Sequence, residues 1–513
     1  GVAGLTAAHV LSGSSRVTLF EADDRLGGHA HTHSAPMPDG SVVGVDSGFI
    51  VHNDRTYPTL LRLFAELGVP TQDTDMSMSV SSTATGLEYA GALGFSGLFP
   101  TPRNATRGRY LRMLGEVTRF HRAARALLDA PDSDEPLDDF LDREHVSPYF
   151  REHFMLPLVA AVWSCDAATA SRYPARYLFT FLDHHGMLSV FGSPTWRTVV
   201  GGSATYVDAL AARLGEVRTS APVTSVTRHD DGVDVRTAAG VTSFDRAVVA
   251  THADQALALL ADATPQEEED LAAIRYSRNA TVLHRDASLL PTAPRARASW
   301  NYRSATCGGA DRPRVTYWMN RLQGFDETGD QLLVSLNSAD DFAEGSVVAR
   351  MDYAHPVFTR EAVAAAVAQR RHVDAHHVDA VEKVLPEAPL DHLGLEVAVR
   401  GAHDARVERD LGVVEYQLAR VRPAHPQLVE VRPLGEPLDP LLDDEGGDAL
   451  AARLGVGLGI DDQGAGVGAV GDPHLVAVQH IRIAVLAGAG AHGPGVGAAI
   501  RFGQAEAADQ LAG

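Results

Sequence analysis

The first 28 residues constrain the fold of this chain more than any other stretch. Gly1 and Gly4 have the spacing of the second and third glycines of a G-x-G-x-x-G turn, where one glycine admits a pyrophosphate and the next lets helix and strand pack closely. Residues 4–12 carry a helical apolar pattern, and residues 16–20 are typical of a short strand. Glu21 follows at the strand end, where a carboxylate accepts a hydrogen bond from a ribose hydroxyl. This order predicts a nucleotide-binding βαβ unit.

The chain begins inside the glycine turn, so we expect it to lack the first strand and the first glycine of this unit. A partial glycine pattern also fits a helix start that binds no ligand. Arg25 and the pair Gly27-Gly28 come directly after the acidic strand end and favour the nucleotide site.

Composition excludes several classes of protein. A chain of 513 residues with 45% hydrophobic and 21% charged residues can form two or three packed domains. Its net charge of −22 argues against nucleic-acid binding, which needs clustered Lys and Arg. Cys165 and Cys307 alone form no disulfide framework, which favours a reducing cytoplasm. The alternating His29, His31 and His33 lack partners at metal-ligand spacing, so we expect a polar loop beside the cofactor and no metal.

An arginine-rich amphipathic helix is predicted over residues 103–128. Its basic residues are Arg103, Arg107, Arg109, Arg112, Arg119, Arg122 and Arg125, with only Glu116 to balance them. One interpretation is a peripheral contact with anionic lipid head groups. The other is a solvated face that pairs with the acidic residues of segment 132–144.

Several short strands are predicted in the middle of the chain. The pattern over residues 222–244 alternates as in antiparallel hairpins, and 245–251 is typical of a buried strand. Residues 282–286, 314–318 and 331–335 are predicted strands of a mixed sheet.

The glycine turn, the acidic strand end and Arg25-x-Gly27-Gly28, in this order, resemble the flavoprotein superfamily of amine oxidases, phytoene desaturases and protoporphyrinogen oxidase. More narrowly, four blocks are similar to predicted bacterial FAD/NAD-binding proteins related to the flavoprotein-like part of plant cyclopropane-fatty-acid synthases. These blocks span residues 46–58, 161–164, 196–203 and 298–303, within a resemblance over residues 1–371.

The resemblance implies an α/β fold with two domains and FAD as the cofactor. A Rossmann-like FAD-binding domain, without its first strand, would comprise residues 1–75 and 200–260, and a mixed-sheet α+β substrate domain residues 76–199 and 261–371. The implied FAD-binding residues are Gly1 and Gly4 at the pyrophosphate, Glu21 at the ribose, Arg25, Gly27 and Gly28 towards the flavin, Val223 at the adenine through its backbone, and Thr251 beside the nucleotide.

The implied activity is that of an FAD-dependent oxidoreductase with a small-molecule or lipid substrate. Typical amine oxidases of the superfamily use a lysine that holds a water near the flavin, whereas the only lysine here is Lys383. This difference favours desaturation, oxidation or isomerisation of a fatty acyl or other lipid chain, by hydride transfer to the flavin, over an amine or polyene oxidase. No side chain stands out as the acid or base. A non-catalytic nucleotide-binding remnant is the alternative from another class.

Composition changes sharply at His372. From there to Gly513 the chain has no Ser, Thr, Asn, Cys, Met or Trp. We therefore expect residues 372–513 to be out of frame or disordered, without the glycine- and aromatic-containing block that closes over the flavin in this superfamily.

Overall fold

A computed structural model describes residues 1–131, 135–189, 192–304, 314–338, 342–371, 378–380 and 482–487. Its strands are β1 Arg16–Glu21, β2 Thr32–Pro36, β3 Val42–Asp46, β4 Val51–Asn53, β5 Thr71–Asp73, β6 Met78–Ser82, β7 Leu87–Ala90, β8 Trp196–Val199, β9 Glu216–Arg218, β10 Val223–His229, β11 Gly232–Thr237, β12 Gly240–Phe244, β13 Arg246–Ala250, β14 Arg275–His284, β15 Trp300–Ser304, β16 Arg314–Trp318, β17 Leu333–Leu336, β18 Val347–Val357, β19 Val378–Ala380 and β20 Arg482–Ala487.

The α-helices are α1 Val2–Ser12, α2 Pro58–Leu67, α3 Gly94–Leu98, α4 Pro102–Ala105, α5 Gly108–Asp129, α6 Leu137–Arg143, α7 Pro148–Phe150, α8 Leu156–Trp163, α9 Ala167–Ala170, α10 Ala175–His184, α11 Ala204–Ala211, α12 Ala253–Leu259, α13 Pro265–Ala273, α14 Met319–Leu322 and α15 Arg360–Arg371. A π-helical turn over Arg151–Met155 joins α7 to α8.

The first sheet is parallel, with strand order β19-β13-β20-β1-β9. Successive side chains of a strand point to opposite faces, so Leu19 and Phe20 of β1 enter different cores. Leu19 packs with α1, α2 and α11 on one face. Phe20 packs on the other face with the antiparallel sheet β10-β11-β12 and with α12. Both faces are therefore covered, as parallel sheets require.

The central strand of this sheet, β20, comes from residues 482–487, far along the chain from β1. Strand β20 pairs in parallel with β1 on one side and with β13 on the other. Val485 and Leu486 are fully buried, one on each face. Nine residues of the segment for which we predicted an out-of-frame or disordered tail are thus strands of the first sheet. For the rest of 372–513, that prediction lies outside the described residues.

The second part of the structure combines a mixed sheet with a helical layer. The sheet has the order β18-β14-β17-β16-β15-β6-β7, antiparallel except for the β15–β6 pair. Helices α5 to α10 enclose an aromatic core that includes Phe120, Phe140, Phe150 and Phe179. The predicted α/β fold is confirmed, whereas the exact domain boundaries stay a prediction.

Over the ranges that the structure describes, no helix has both the length and the apolar character needed to cross a bilayer.

Candidate functional site

The start of α1 meets the end of β1. The terminal amino group of Gly1 donates to Glu21 Oε2 at 3.3 Å, and the N–H of Asp23 donates to Glu21 Oε1 at 3.2 Å. The Glu21 side chain is fully buried, and this burial raises the pKa of its carboxyl above the ordinary value. These contacts place the start of α1 beside the carboxylate at the end of β1. This is the arrangement that a pyrophosphate and an adjoining ribose require.

The predicted glycine pair lies against the same helix start. Gly27 and Gly28 have φ values of 103° and 60°, which favour glycine. A Cβ on Gly28 would lie 2.9 Å from the Cα of Gly1, so the two glycine segments pack backbone to backbone. Arg25 fixes this turn because its Nη2 donates to the Gly28 carbonyl at 2.9 Å. The structure therefore brings Gly1, Glu21, Arg25, Gly27 and Gly28 together.

The segment that leads into Val223 contacts this group through its backbone. The N–H of Ala221 donates to the Glu21 carbonyl at 2.9 Å, and the N–H of Ser220 donates to the Asp23 carbonyl at 2.7 Å. Val223 opens β10 two residues later. A backbone contact from this position to a nucleotide base stays a prediction.

Thr251 and Gly4 have no direct contact with Glu21 among the described hydrogen bonds. Ala250, Ala487 and Glu21 are in register across β13, β20 and β1, so Thr251 leaves the sheet at the same edge as Glu21 but two strands away. Its hydroxyl donates to the carbonyl of the next residue at 3.0 Å. Gly4 is buried in the first turn of α1. Their contacts with a cofactor stay predictions.

A buried carboxylate that the sequence did not single out connects three segments. Asp46 Oδ1 accepts hydrogen bonds from Thr32 Oγ1 at 2.6 Å, Ser203 Oγ at 2.7 Å and Ser203 N at 2.9 Å. The side chain is 1% exposed, and burial raises the pKa of Asp46 to about 6. Asp46 thereby holds the Gly201-Gly202-Ser203 turn against the strand that follows the glycine pair.

Glycines let these three segments approach at backbone distance. A Cβ on Gly48 would lie 2.1 Å from the His29 carbonyl oxygen, and a Cβ on Gly44 would lie 2.6 Å from that of Gly201. Gly202 has a φ of 90°, and its Cβ would lie 2.6 Å from Thr32 Cγ2. Gly48, Gly201 and Gly202 lie in two of the quoted sequence blocks, but nothing in their spacing shows that they meet the segment around His29 and Thr32.

A hydrogen-bond network extends from this junction to the mixed sheet. The Tyr353 hydroxyl lies 2.7 Å from Ser47 Oγ and 3.1 Å from His31 Nδ1. Ser47 Oγ lies 2.8 Å from His33 Nε2. Burial raises the pKa of Tyr353 to about 12 and lowers that of His33 to about 4, so both groups are neutral near pH 7. The network links the predicted polar loop to β18.

His29 lies beside this network, with its ring centroid 4.9 Å from that of Tyr353 and 5.8 Å from that of His252. Within the described part of the chain, no group of three or more His, Cys, Asp or Glu side chains has the geometry to hold a metal ion.

Buried polar atoms without partners lie near the same junction. Neither ring nitrogen of His52 has a hydrogen-bond partner, although its side chain is 1% exposed. The hydroxyl of Tyr206 is also buried and unpaired, and both rings pack against Phe64, at 5.2 and 5.1 Å. Such atoms are rare in folded proteins and often mark a site where a ligand or water supplies the missing hydrogen bond.

These observations fit a flavin dinucleotide. The start of α1 at Gly1 would face the pyrophosphate and Glu21 would accept from the ribose, while Gly27 and Gly28 let their turn pack closely against Ala30 and Gly1. A side chain at Gly27 would meet the Ala30 carbonyl oxygen and one at Gly28 would meet the Gly1 Cα, so either would displace the turn.

Comparison with known proteins agrees with this geometry. The model of the family described as flavin containing amine oxidoreductase matches residues 2–285, more than half of the chain. The chain is also similar to (S)-6-hydroxynicotine oxidase of Paenarthrobacter nicotinovorans, with 25% identity over 243 residues, which cover 46% of this chain and 54% of that protein. The matched region therefore spans about half of that relative.

Solved structures share the fold. A redesigned double mutant of putrescine oxidase superposes with a TM-score of 0.54 at 15% identity, over 82% of this chain and 97% of that one. Cyclohexylamine oxidase from Brevibacterium oxydans IH-35A superposes with a TM-score of 0.52 at 13% identity, over 74% of this chain and 90% of that one.

The family match confirms FAD as the predicted cofactor and places the chain among FAD-dependent oxidoreductases. The narrower relation to cyclopropane-fatty-acid synthases stays a prediction. From its sequence match, its parallel sheet and its glycine-lined strand ends, the chain belongs to the flavin containing amine oxidoreductase family.

Proposed function

We propose that this protein binds FAD and oxidises a small organic substrate at a carbon atom bonded to nitrogen. The observation that carries the proposal is the meeting of Gly1, Glu21 and Gly28 at the carboxyl end of β1. When bound, FAD supplies the electron acceptor for the hydride that leaves the substrate carbon.

The chain's own residues bind the cofactor and fix the geometry. Glu21 is an acceptor for ribose hydroxyls, and Asp46 holds the Ser203 turn in one position through short hydrogen bonds. The neutral Tyr353 hydroxyl, buried between Ser47 and His31, adds an ordered polar wall without a charge. A rigid, water-poor site of this kind favours hydride transfer.

Amines are the preferred substrate class. The family is defined by amine oxidoreductases, and the relative from Paenarthrobacter nicotinovorans is by its name an oxidase of a hydroxynicotine. An amine nitrogen next to the reacting carbon stabilises the iminium product that forms when hydride leaves.

A fatty acyl or other lipid chain is the second candidate substrate. Lys383, the only lysine, lies outside the described residues, so no described residue supplies the lysine that typical amine oxidases use. Exposed apolar side chains, Phe95 and Leu111, lie beside the arginines of α5. The resemblance to flavoprotein-like parts of cyclopropane-fatty-acid synthases also supports this candidate.

The first experiment measures FAD binding. We expect the purified protein to show the two visible bands of a flavin and to release FAD on denaturation. Glu21→Gln should weaken FAD binding about tenfold, because one charge-assisted hydrogen bond becomes a neutral one. Glu66→Gln, which changes an exposed carboxylate on α2, serves as the matched control and should leave binding unchanged. A wild-type protein that does not bind FAD after reconstitution would refute the proposal.

The second experiment separates the substrates. Bleaching of the flavin absorbance under anaerobic conditions is followed with a primary amine, a cyclic secondary amine and an unsaturated phospholipid. Reduction by an amine supports the first candidate, and spectral change only with the phospholipid supports the second. Bound FAD that none of these substrates affects would favour a non-catalytic nucleotide-binding protein.

A further inference from the structure

The outer face of α5 carries arginines that are not neutralised. Arg103, on α4, and Arg109, Arg112 and Arg122, on α5, are exposed, and within the described ranges none of them has an ion-pair partner. The whole chain has a net charge of −22, so this concentration of positive charge is local. It marks a surface that attracts anions.

Two large apolar side chains are exposed at the same end of the helix. Phe95 on α3 is 79% exposed, and Leu111 is 43% exposed. The Phe95 ring centroid lies 4.8 Å from that of Phe99, which lies 6.1 Å from the ring of Tyr110, between Arg109 and Leu111. We call Phe95, Leu111, Arg103, Arg109 and Arg112 the amphipathic patch.

Acidic neighbours do not occupy this surface in the described residues. Arg119 pairs at 3.8 Å with Glu116 of its own helix, and Arg125 pairs at 3.8 Å with Asp183. Four acidic side chains of α6 and its flanks form ion pairs with Arg143 or Arg151, namely Glu135, Asp138, Asp142 and Glu144. The predicted pairing of α5 with segment 132–144 is therefore not seen for residues 136–144, and residues 132–134 lie outside the described residues.

A polar groove runs beside the patch. It has a volume of about 580 Å³, and three arginines line it, Arg112, Arg119 and Arg151. Its two carboxylates are already engaged, since Glu116 accepts from Ser147 Oγ at 2.5 Å and Asp142 pairs with Arg151. The groove is large enough for a phosphate head group next to Arg112.

We propose that the amphipathic patch docks on the surface of an anionic phospholipid bilayer. The arginines pair with head-group phosphates, and Phe95 and Leu111 enter the interface between head groups and acyl chains. Charge and exposed apolar area act together here, as in interfacial amphipathic helices. This proposal is independent of the substrate, because it concerns only where the protein resides.

Flotation with lipid vesicles tests the proposal on the full chain. Vesicles of phosphatidylcholine alone are compared with vesicles containing one quarter phosphatidylglycerol, at 0.1 M and 0.5 M NaCl. We expect binding to the anionic vesicles only, and weaker binding at the higher salt concentration. The double variant Arg109→Gln/Arg112→Gln should lower the partition coefficient about thirtyfold, and Phe95→Ser about tenfold.

The control removes the same amount of charge elsewhere. Arg213→Gln/Arg218→Gln alters two exposed arginines of the FAD-binding part and should leave vesicle binding within twofold of wild type. Melting temperatures equal to wild type show that each variant is folded. Equal binding to both vesicle types, no binding to either, or equal losses in both double variants would overturn the proposal.

Discussion

Replacing Gly27 by alanine tests whether close backbone packing holds the glycine turn. Gly27 has a φ of 103°, and a Cβ there would lie 2.4 Å from the Ala30 carbonyl oxygen. Gly40, at the tip of the β2–β3 hairpin, has a φ of 85° with nothing within 4 Å of its Cβ. Alanine at either position has the cost of a left-handed backbone, about 1–2 kcal/mol. Only the alanine at position 27 also clashes with another atom, the Ala30 carbonyl oxygen.

The difference in the free energy of unfolding between Gly27→Ala and Gly40→Ala therefore measures only the clash with the Ala30 carbonyl. The Ala30 carbonyl must retreat by roughly 1 Å, which adds about 1–3 kcal/mol of overpacking. It also weakens the hydrogen bond from Ala30 N to Gly27 O, at 3.1 Å, which contributes about 1 kcal/mol. We therefore expect Gly27→Ala to lower the free energy of unfolding by about 2–4 kcal/mol more than Gly40→Ala.

Urea unfolding followed by tryptophan fluorescence, with and without FAD, provides the measurement. Gly40→Ala should bind FAD as the wild type does, whereas Gly27→Ala should bind it at least tenfold more weakly because the turn is displaced. If the two variants are equally stable and bind FAD equally well, close packing at Gly27 does not shape the site, and our reasoning is wrong.

Three further predictions concern groups away from this turn. Asp46→Asn puts an amide NH₂ where the Ser203 N–H needs an acceptor. Chemical denaturation should therefore show a free energy of unfolding that is lower by about 1–3 kcal/mol. Burial lowers the pKa of His52 to about 4, against about 6.5 in the unfolded chain. The unfolded state alone therefore binds a proton between these values, so stability falls as the pH decreases from 6.5 to 4. His52→Leu should reduce this slope by about 1.4 kcal/mol per pH unit in denaturation curves at several pH values. Arg228 forms two hydrogen bonds of 2.7 and 2.9 Å to one carboxylate on α13 and is 11% exposed, so Arg228→Gln should lower the melting temperature. Arg278→Gln, which removes an exposed ion pair, should not.

Local sequence patterns were sufficient to predict the helix and strands of the FAD-binding part. Glycine spacing and an acidic strand end predicted that Gly1 and Glu21 would meet, because a βαβ unit fixes the geometry over about twenty residues. The hairpins between 222 and 244 follow from period-two alternation, and they are β10, β11 and β12 in the structure.

Contacts between distant segments could not be predicted in this way. Asp46 and Ser203 are 157 residues apart, and Ser47 and Tyr353 are 306 apart. Such pairs depend on how sheets and loops stack, which periodicity within a window of 10 to 20 residues does not encode. The same reason explains β20, since composition alone gives no indication that Val485 is a core residue of the first sheet.

The central position of β20 affects how the protein is made. Strand β20 is synthesised about 460 residues after its partner β1, roughly 25 to 90 seconds later at typical elongation rates. During that interval β1 and β13 expose open backbone edges that other chains can pair with. Low temperature or chaperone co-expression, which limit such pairing, should therefore raise the yield of folded protein.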